Sequence, residues 1–402
     1  MSAPRTVIVA GAGIGGLTAA LALVRSGFRV IVLEQAQRLE ETGAGIQLSP
    51  NATRVLIDLG LADRLRPHVM APLALRVLTA RSGREIVRLP LAEAPQRYGA
   101  PYWIIHRGDL QAALAEAVGQ ELDVALKLGL RMEDFATHPH GVTVSAEAAN
   151  GLWNERGHAL IAADGLWSPA RTRFGLKDEP RFSGHSAWRA LIPARDAPPE
   201  FRDPFVHLWL GGDAHVVHYP VKAGKLINIV VIAADAWNAP GWSEPASRVD
   251  LLPRLPAERW APQLRALIRQ PEAWLKWALC DRPPAATVAS GAAALIGDAA
   301  HPLLPYLAQG AAMAIEDAVV AARCLAHMPD DADRALRTYA AVRRSRIRKV
   351  QRLAERNGQR YHLRGPAAVA RNLAMRIVGG DRLLHNYDWL YDWRPPAALS
   401  IS

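Results

Sequence analysis

Three glycines, Gly11, Gly13 and Gly16, stand at fixed spacing where a short apolar run stops, and an acid, Glu34, closes the next such run. The chemistry this pattern serves is recognition of a dinucleotide. Gly11 makes a tight turn, Gly13 lets backbone come close to something bulky, and Gly16 lets the following helix pack on the strand. The helix N-terminus offers unpaired N–H groups and a partial positive charge to a pyrophosphate. Glu34, 18 residues beyond Gly16, accepts hydrogen bonds from ribose hydroxyls. An acid there disfavours a 2′-phosphate, so this nucleotide is not NADP. The elements needed are a strand over Thr6–Ala10, a helix over Leu17–Arg25 stopped at Gly27, and a strand over Phe28–Leu33.

Three further stretches carry chemistry: HRGDLQAAL from His106, AADGLWSPAR from Ala162, and ALIGDAAHPLLPYLAQGAAMAIEDA from Ala294. In the last, a strand over Ala294–Ile296 stops at Gly297-Asp298, and a helix starts near Gln309-Gly310 and runs through Glu316. An Asp at a strand end, followed by a loop and a helix N-terminus, binds sugar-like hydroxyls and an anionic group together. His301, before Pro302, is expected to orient that loop rather than to act as a base. Between Phe182 and Asp281 the pattern changes. His207–Ala234 reads as alternating strands with turns at Gly211-Gly212-Asp213 and Ala223-Gly224-Lys225. On one of these strands His215 and Tyr219 face one side and His218 the other.

The elements that must position these residues need room. A chain of 402 residues predicts two domains. Half the residues are hydrophobic and a fifth charged, which is an ordinary soluble composition. The two cysteines, Cys280 and Cys324, have no CxxC or Cys/His spacing, so neither a disulfide framework nor a metal site is expected, and the usage fits a reducing cytosol. The 48 basic residues outnumber 38 acidic ones, a net +10 that attracts acidic substrates and phosphate cofactors. The charges are scattered except over Arg343–Arg356, where Val342, Ile347, Val350 and Leu353 recur at helical spacing. This predicts a basic amphipathic helix with a solvated face. No zinc finger or RNA-binding signature is present, so no nucleic-acid partner is expected. Neither apolar run predicts a membrane span. Val7–Val24 is glycine-rich, lacks a cleavage pattern and flows into a second strand, and Gly291–Ile315 carries Asp298 and His301. The tail reads either as a packed helix with an aromatic plug over Asp388–Trp393 or as a dimer contact.

Gly11-Ala12-Gly13-Ile14-Gly15-Gly16, Asp164-Gly165 and Gly297-Asp298, in that order, resemble the three motifs of the single-component FAD-dependent aromatic hydroxylases. That group includes salicylate hydroxylase, 3-hydroxybenzoate 6-hydroxylase and 6-hydroxynicotinate 3-monooxygenase. The resemblance implies an α/β (α+β overall) fold: a Rossmann-like FAD-binding domain, an inserted antiparallel-sheet substrate domain and a C-terminal helical segment. The boundaries it suggests are 1–74, 101–180 and 284–345 for the first, 75–100 and 181–283 for the second, and 346–402 for the third. It implies FAD, with NADH or NADPH as a transient electron donor that has no Rossmann domain of its own. Gly11, Gly13, Ile14, Gly15 and Gly16 would meet the pyrophosphate, and Glu34 with Gln35 the adenosine ribose. Arg107 would meet the pyrophosphate or ribityl chain, and Asp298 the ribityl hydroxyls. Gly45, Ile46 and Pro305 would lie near the isoalloxazine, with Gly310 and Ala311 pointing N–H groups at its O2 edge. Asp164 and Gly165 would serve both FAD and the nicotinamide.

For the reaction, the resemblance implies hydroxylation of a small hydroxylated aromatic acid by a flavin C4a-hydroperoxide formed from O2, in a cytoplasmic monomer or homodimer. The flavin would swing between a position for reduction and one for hydroxylation. Gln47, Pro305 and Tyr306 would line the substrate pocket. A phenolate is a far better nucleophile than a phenol, and His215, as a neutral imidazole with an ordinary pKa of about 6.5, would take the phenol proton. Tyr219 would hydrogen-bond the ring oxygen or the carboxylate. Some relatives carry other residues at Pro305 and Tyr306, so the motifs do not name the substrate. The rival readings are an FAD-dependent epoxidase or reductase acting on a non-aromatic substrate, and a non-catalytic FAD-binding redox protein.

Overall fold

The first strand, Thr6–Ala10, sits between two parallel neighbours, Arg29–Glu34 and Ala159–Ala162. Parallel strands are buried on both faces and therefore read as continuous apolar runs. Val7, Ile8 and Val9 are fully buried accordingly. In this computed structural model, which describes residues 5–39, 44–149, 151–238, 241–283 and 285–397, these strands form the middle of a six-stranded sheet. Val124–Leu128 lies on one flank, and Ala293–Leu295 with Ala289–Ser290 on the other. The first helix runs Ile14–Val24, three residues ahead of its expected start. Its opening turn is built from Gly15 and Gly16 themselves, so the glycines form the helix N-terminus rather than precede it. Gly27 ends this region with φ +86°.

The stretch expected as alternating strands forms Phe205–Leu210, Ala214–Val221 and Leu226–Ala234. They join an eight-stranded sheet with Ser243–Ser247, Ala273–Asp281, Arg181–Pro193, Ala74–Thr79 and Glu85–Pro90. Neighbours are antiparallel except for Phe205–Leu210 beside Ala74–Thr79, which run parallel. Alternation sorts the side chains. Val216, Ile229, Val231, Trp188 and Trp209 turn into a second apolar core with the Pro262–Ile268 helix. His215, Val217, Tyr219, Val230 and Ile232 turn to the other face. A two-stranded ladder, Gly45–Leu48 with Trp103–His106, stands between the large sheets and sets Gly45–Gln47 beside Arg107.

The chain from Gly310 onward is helical: Gly310–His327, Ala332–Tyr361, Gly365–Val378 and two short helices, Gly380–His385 and Asp388–Tyr391. The expected basic helix exists, but its solvated face is a correction in part. Arg343 is 1% exposed and Arg346 nearly buried, because Glu316 and Asp317, both at 0%, need their charge. A buried carboxylate without a cation costs several kcal/mol. Ile347 and Val350 are buried as expected, while Val342 and Leu353 are only half-buried. The tail packs Leu390, Tyr387 and Tyr391 inward as an aromatic plug, while the Gly365–Val378 helix leaves Val369, Leu373 and Ile377 exposed. Among the described residues, no helix is long and apolar enough to cross a membrane, and no cluster of His, Cys, Asp and Glu has the geometry of a metal site.

Candidate active site

Between the two large sheets runs a cleft. Its outer part, of about 1000 Å³, is lined by Gly13, Glu34, Gln35, Arg107 and Asp298 on one side and by Trp242 and Trp277 on the other. An inner cavity of about 390 Å³ shares Gly13, Arg107, Arg189, Asp298 and Pro305 with it and adds Gly45, Gln47, His215, Tyr219 and Gly310. Behind that, a small cavity of about 100 Å³ is walled by Tyr102, Tyr306, Tyr361, Tyr387 and Tyr391. Gln47, His215 and Pro305 line both inner spaces.

The glycines divide their work as their spacing predicts. Gly11 has φ +100°, and a Cβ there would lie 2.5 Å from the Ala163 carbonyl oxygen. A Cβ on Gly16 would lie 1.8 Å from the Gly11 carbonyl oxygen. A Cβ on Gly13 would meet nothing within 4 Å, although the residue lines both cavities. The first two are needed by the fold, whereas the space beside Gly13 is left for a ligand. Glu34 is pinned in the outer cleft, its carboxylate accepting hydrogen bonds from the N–H groups of Ala12 (2.7 Å) and Ala36 (2.9 Å). Its remaining lone pairs are free for hydroxyls.

The opposite wall carries charge. Asp298 meets the water of the cleft on one side and is enclosed on the others. Burial raises its carboxyl above the ordinary range, against the opposing pull of His301 and Arg107. Burial likewise lowers the Arg107 pKa, and Asp298 counters it. His301 orients the loop as expected: its ring nitrogen sits 2.5 Å from Asp317, which also accepts the Gly297 N–H at 2.9 Å. Burial opposes ionisation of Asp317, yet the His301 and Arg343 charges with these hydrogen bonds hold its carboxyl down at about 2. The Gly310 helix is 18 residues long, and its first residues, Gly310 and Ala311, line the inner cavity with the positive end of the dipole. A Cβ on Gly310 would also meet nothing within 4 Å. Just before it, Ala308 takes φ +52°, a strained conformation of the kind that clusters at ligand-binding sites.

Gly45 is glycine for a second reason. A Cβ there would come within 2.6 Å of the Tyr219 ring, and its N–H donates to Asn228 at 2.8 Å. The eight-stranded sheet thus closes directly onto the Gly45–Gln47 segment. His215 and Tyr219 face the inner cavity, both nearly fully buried. Burial, with His362 and His185 nearby, holds the His215 pKa well below its ordinary value. Burial raises that of Tyr219, against Arg189 and Gln47. Pro305 lines all three spaces. Tyr306 lines only the small one, its phenol pushed up to about 12 by burial. Asp164 departs from the expected arrangement. Ala163 and Gly165 line the inner cavity, but the Asp164 side chain turns to the Ala170 N–H at 3.4 Å. Burial raises its carboxyl to about 6.

The match to known proteins covers nearly the whole chain. Residues 5–354 match the family model described as FAD binding domain. The chain belongs to this FAD-binding family. It is 37% identical over 387 residues to 3-hydroxybenzoate 6-hydroxylase 1 of Aquipseudomonas alcaligenes, covering 96% of this chain and 97% of that protein. It is 36% identical over 390 residues to a 3-amino-4-hydroxybenzoate 2-monooxygenase of Streptomyces platensis, covering 96% of each. A salicylate hydroxylase substrate complex superposes with TM-score 0.82 at 27% identity, covering 98% of this chain and 96% of that one. Klebsiella pneumoniae HpxO, complexed with FAD and uric acid, gives 0.83 at 27% identity, covering 95% of each. The protein is therefore an FAD-dependent monooxygenase, and NAD(P)H is the electron donor typical of its family.

Several residues of this monooxygenase have no clear signature in the sequence. Arg189 lines both the outer and inner cavities, with its guanidinium 5.4 Å from the Trp277 ring centre. Burial depresses its pKa, Tyr219 raises it and Arg107 lowers it. A charged residue inside the otherwise apolar Ala187–Ile192 run was the available signal. His362 meets His215 from the tail, and His185 stacks on His362, and no local pattern announces them. The Glu316/Asp317/Arg343/Arg346 network, extended by Asn51 and Gln309, ties the Gly310 helix to its neighbours. Adjacent Glu-Asp on an apolar helix was its signal.

Proposed function

We propose that this enzyme hydroxylates the ring of a small hydroxylated aromatic acid of the hydroxybenzoate, salicylate or hydroxynicotinate type. The observation that carries the reading is the inner cavity. It sets a buried neutral imidazole, His215, and a guanidinium, Arg189, around a space whose wall between them carries Val217, Val230 and Ile232. Those two groups match the two polar ends of such a substrate. Arg189 pairs with the carboxylate, the geometry for which a guanidinium is suited. His215 accepts the hydroxyl proton through Nε2. Tyr219 donates to the ring oxygen, and its raised pKa keeps it a donor. Gln47, Pro305 and, one layer back, Tyr306 close the pocket against water, which electrophilic oxygen transfer requires.

FAD fits the cradle. Gly11 to Gly16, with Ile14 and Gly15, take the pyrophosphate, and Glu34 and Gln35 the ribose. Arg107 and Asp298 take the ribityl region, and the N–H groups of Gly310 and Ala311 an electron-rich edge of the ring system. The open space beside Gly13 and Gly310 supports this. When bound, FAD supplies two electrons taken from NAD(P)H and the activation of O2. We keep the division into FAD-binding and substrate domains as our reading. It is supported by Ala74–Thr79 and Glu85–Pro90 joining the eight-stranded sheet. Two free cysteines support a cytoplasmic location.

The test is NADH and NADPH oxidation by the FAD-loaded protein across hydroxybenzoates, aminobenzoates and hydroxynicotinates, with H2O2 counted alongside. Oxidation stimulated by one acid, with little H2O2, is the expected result. Oxidation that no aromatic acid stimulates, or that ends wholly as H2O2, overturns the reading.

A further inference from the structure

A buried base that takes a proton from a bound ligand must be relieved of it. His215 is 2% exposed, so water does not reach it freely. Its Nδ1 lies 2.9 Å from Nε2 of His362, the residue just beyond the Ala332–Tyr361 helix. Its Nε2 makes no hydrogen bond among the described residues, and the ring lines both inner spaces. The imidazole thus has one nitrogen for the cavity and one for His362. His362 is held in place from several sides. Its ring stacks on His185 at 4.9 Å and 9°, and meets Tyr306 edge-on at 6.0 Å and 86°. It is half-buried, and the chain beyond it surfaces at Arg364, whose guanidinium bonds the Gly212 carbonyl oxygen at 3.0 Å and pairs with Asp213.

We propose that His362 is a positioning and relay residue: it fixes the His215 tautomer and carries the substrate's hydroxyl proton between His215 and solvent. This rests on the reading of the inner cavity given above. For Nε2 of His215 to accept, its Nδ1 must carry the hydrogen and donate it to His362 Nε2, so the His362 hydrogen sits on Nδ1. The substrate O–H then breaks as an N–H forms at His215 Nε2. The Nδ1 proton of His215 passes to His362 Nε2, and the Nδ1 proton of His362 passes to water. One proton enters the pair and one leaves. Both rings end in the opposite tautomer. When the product phenolate takes a proton back, the same steps in reverse restore the starting state.

The groups facing His362 suit transfer rather than storage. Burial disfavours its cation, as do His185 on the Arg181–Pro193 strand and Arg364 and Arg371 on the tail. Asp213 in the turn favours the cation. A purely apolar ring would fill the space between Tyr306 and His185 equally well, and would leave His215 Nδ1 without its partner.

The test uses the full-length FAD-loaded protein and the aromatic acid that best stimulates NAD(P)H oxidation. Without reductant, the phenol-to-phenolate ultraviolet change is followed after rapid mixing, and binding is read separately from the flavin spectrum. His362→Gln keeps a polar atom near Nε2 but cannot pass a proton. It is expected to slow ionisation about tenfold or more, with Kd within about twofold and the pH profile of ionisation altered. His362→Ala is expected to regain rate when imidazole is added. Ionisation at the parent rate with an unchanged pH profile in His362→Gln overturns the relay. So does a loss of binding that accounts for the whole effect, which marks a packing role. A parent protein that ionises no aromatic acid on binding sinks the substrate reading, and the relay with it.

Discussion

The eight-stranded sheet holds two buried histidine pairs, one on each face of the Ala214–Val221 strand. His215 pairs with His362 on the cavity side. His218 stacks on His207 at 4.4 Å and 12° on the other. Burial depresses all four pKa values, to about 3 for His207 and about 4 for His362. Both pairs set two imidazoles ring to ring and both titrate low, although His362 is only half-buried and its contact is a hydrogen bond rather than a stack. They differ in what surrounds them. His218 accepts a hydrogen bond from Trp209 at 3.0 Å and lies against Phe201. Its ring lines none of the three spaces described above, whereas His215 lines two. A perturbed histidine is therefore not a site by itself; a nitrogen left over and facing a cavity is what makes one.

The sharpest way to break the comparison is to substitute both. His215→Gln should lower product formation by about 10² to 10⁴, with the protein still folded and yellow. His218→Phe should leave turnover per FAD-loaded molecule within about twofold, because nothing on that face meets substrate. Its cost is structural. The Trp209 N–H loses its acceptor in a dry core, which destabilises by about 1–3 kcal/mol, measured by denaturant titration. Equal losses of turnover in the two variants would dissolve the distinction.

The cations beside the two pairs sharpen it further. Arg189 lines the inner cavity, whereas Arg76 sits 3.3 Å from His207 on the other face. Arg189→Met should lower kcat/KM for the aromatic acid by about 1.5–3 kcal/mol, or roughly ten- to 150-fold, and mostly through KM. Arg76→Met should leave KM alone. Steady-state kinetics on both variants decide this.

How much of this was legible in the sequence follows from the range of the forces involved. The phosphate-binding end was readable because each glycine answers a local demand, a turn at Gly11 and a packing contact at Gly16, and Glu34 follows at a fixed strand-helix-strand distance. The period of two along the Ala214–Val221 strand is enough by itself to put His215 and His218 on opposite faces. Arg189, His185 and His362 were not readable, because only the sheet order and the path of the tail bring Arg189 to the cavity, His362 to His215 and His185 to His362. The basic face of the Arg343 stretch reads as solvated because helical spacing reports where apolar residues fall. It does not report that two carboxylates on the neighbouring helix will claim Arg343 and Arg346. Asp164 was expected at the ligand, whereas its side chain turns to the Ala170 N–H and Gly165 lines the inner cavity.

The smallest expected effect is acid sensitivity, and there the two pairs should behave alike. Each histidine is held neutral by burial in the folded chain, with a folded pKa below the ordinary value of about 6.5. Below that value the unfolded chain binds more protons than the folded one, so stability is full at higher pH and falls as pH drops through about 6.5 toward the folded values. A histidine that stays neutral when folded loses about 0.8 kcal/mol between pH 8 and pH 6. His218→Phe should therefore flatten the stability curve by about that amount over this range, and His362→Gln should do the same. Catalysis should not follow suit. Because His215, the base we propose, titrates well below its ordinary value, turnover of the surviving folded fraction should hold at pH 6, where stability is already declining. Denaturant midpoints and single-turnover rates at matched pH separate the two curves. If they fell together, the His215 face would be as much a packing device as the His218 face.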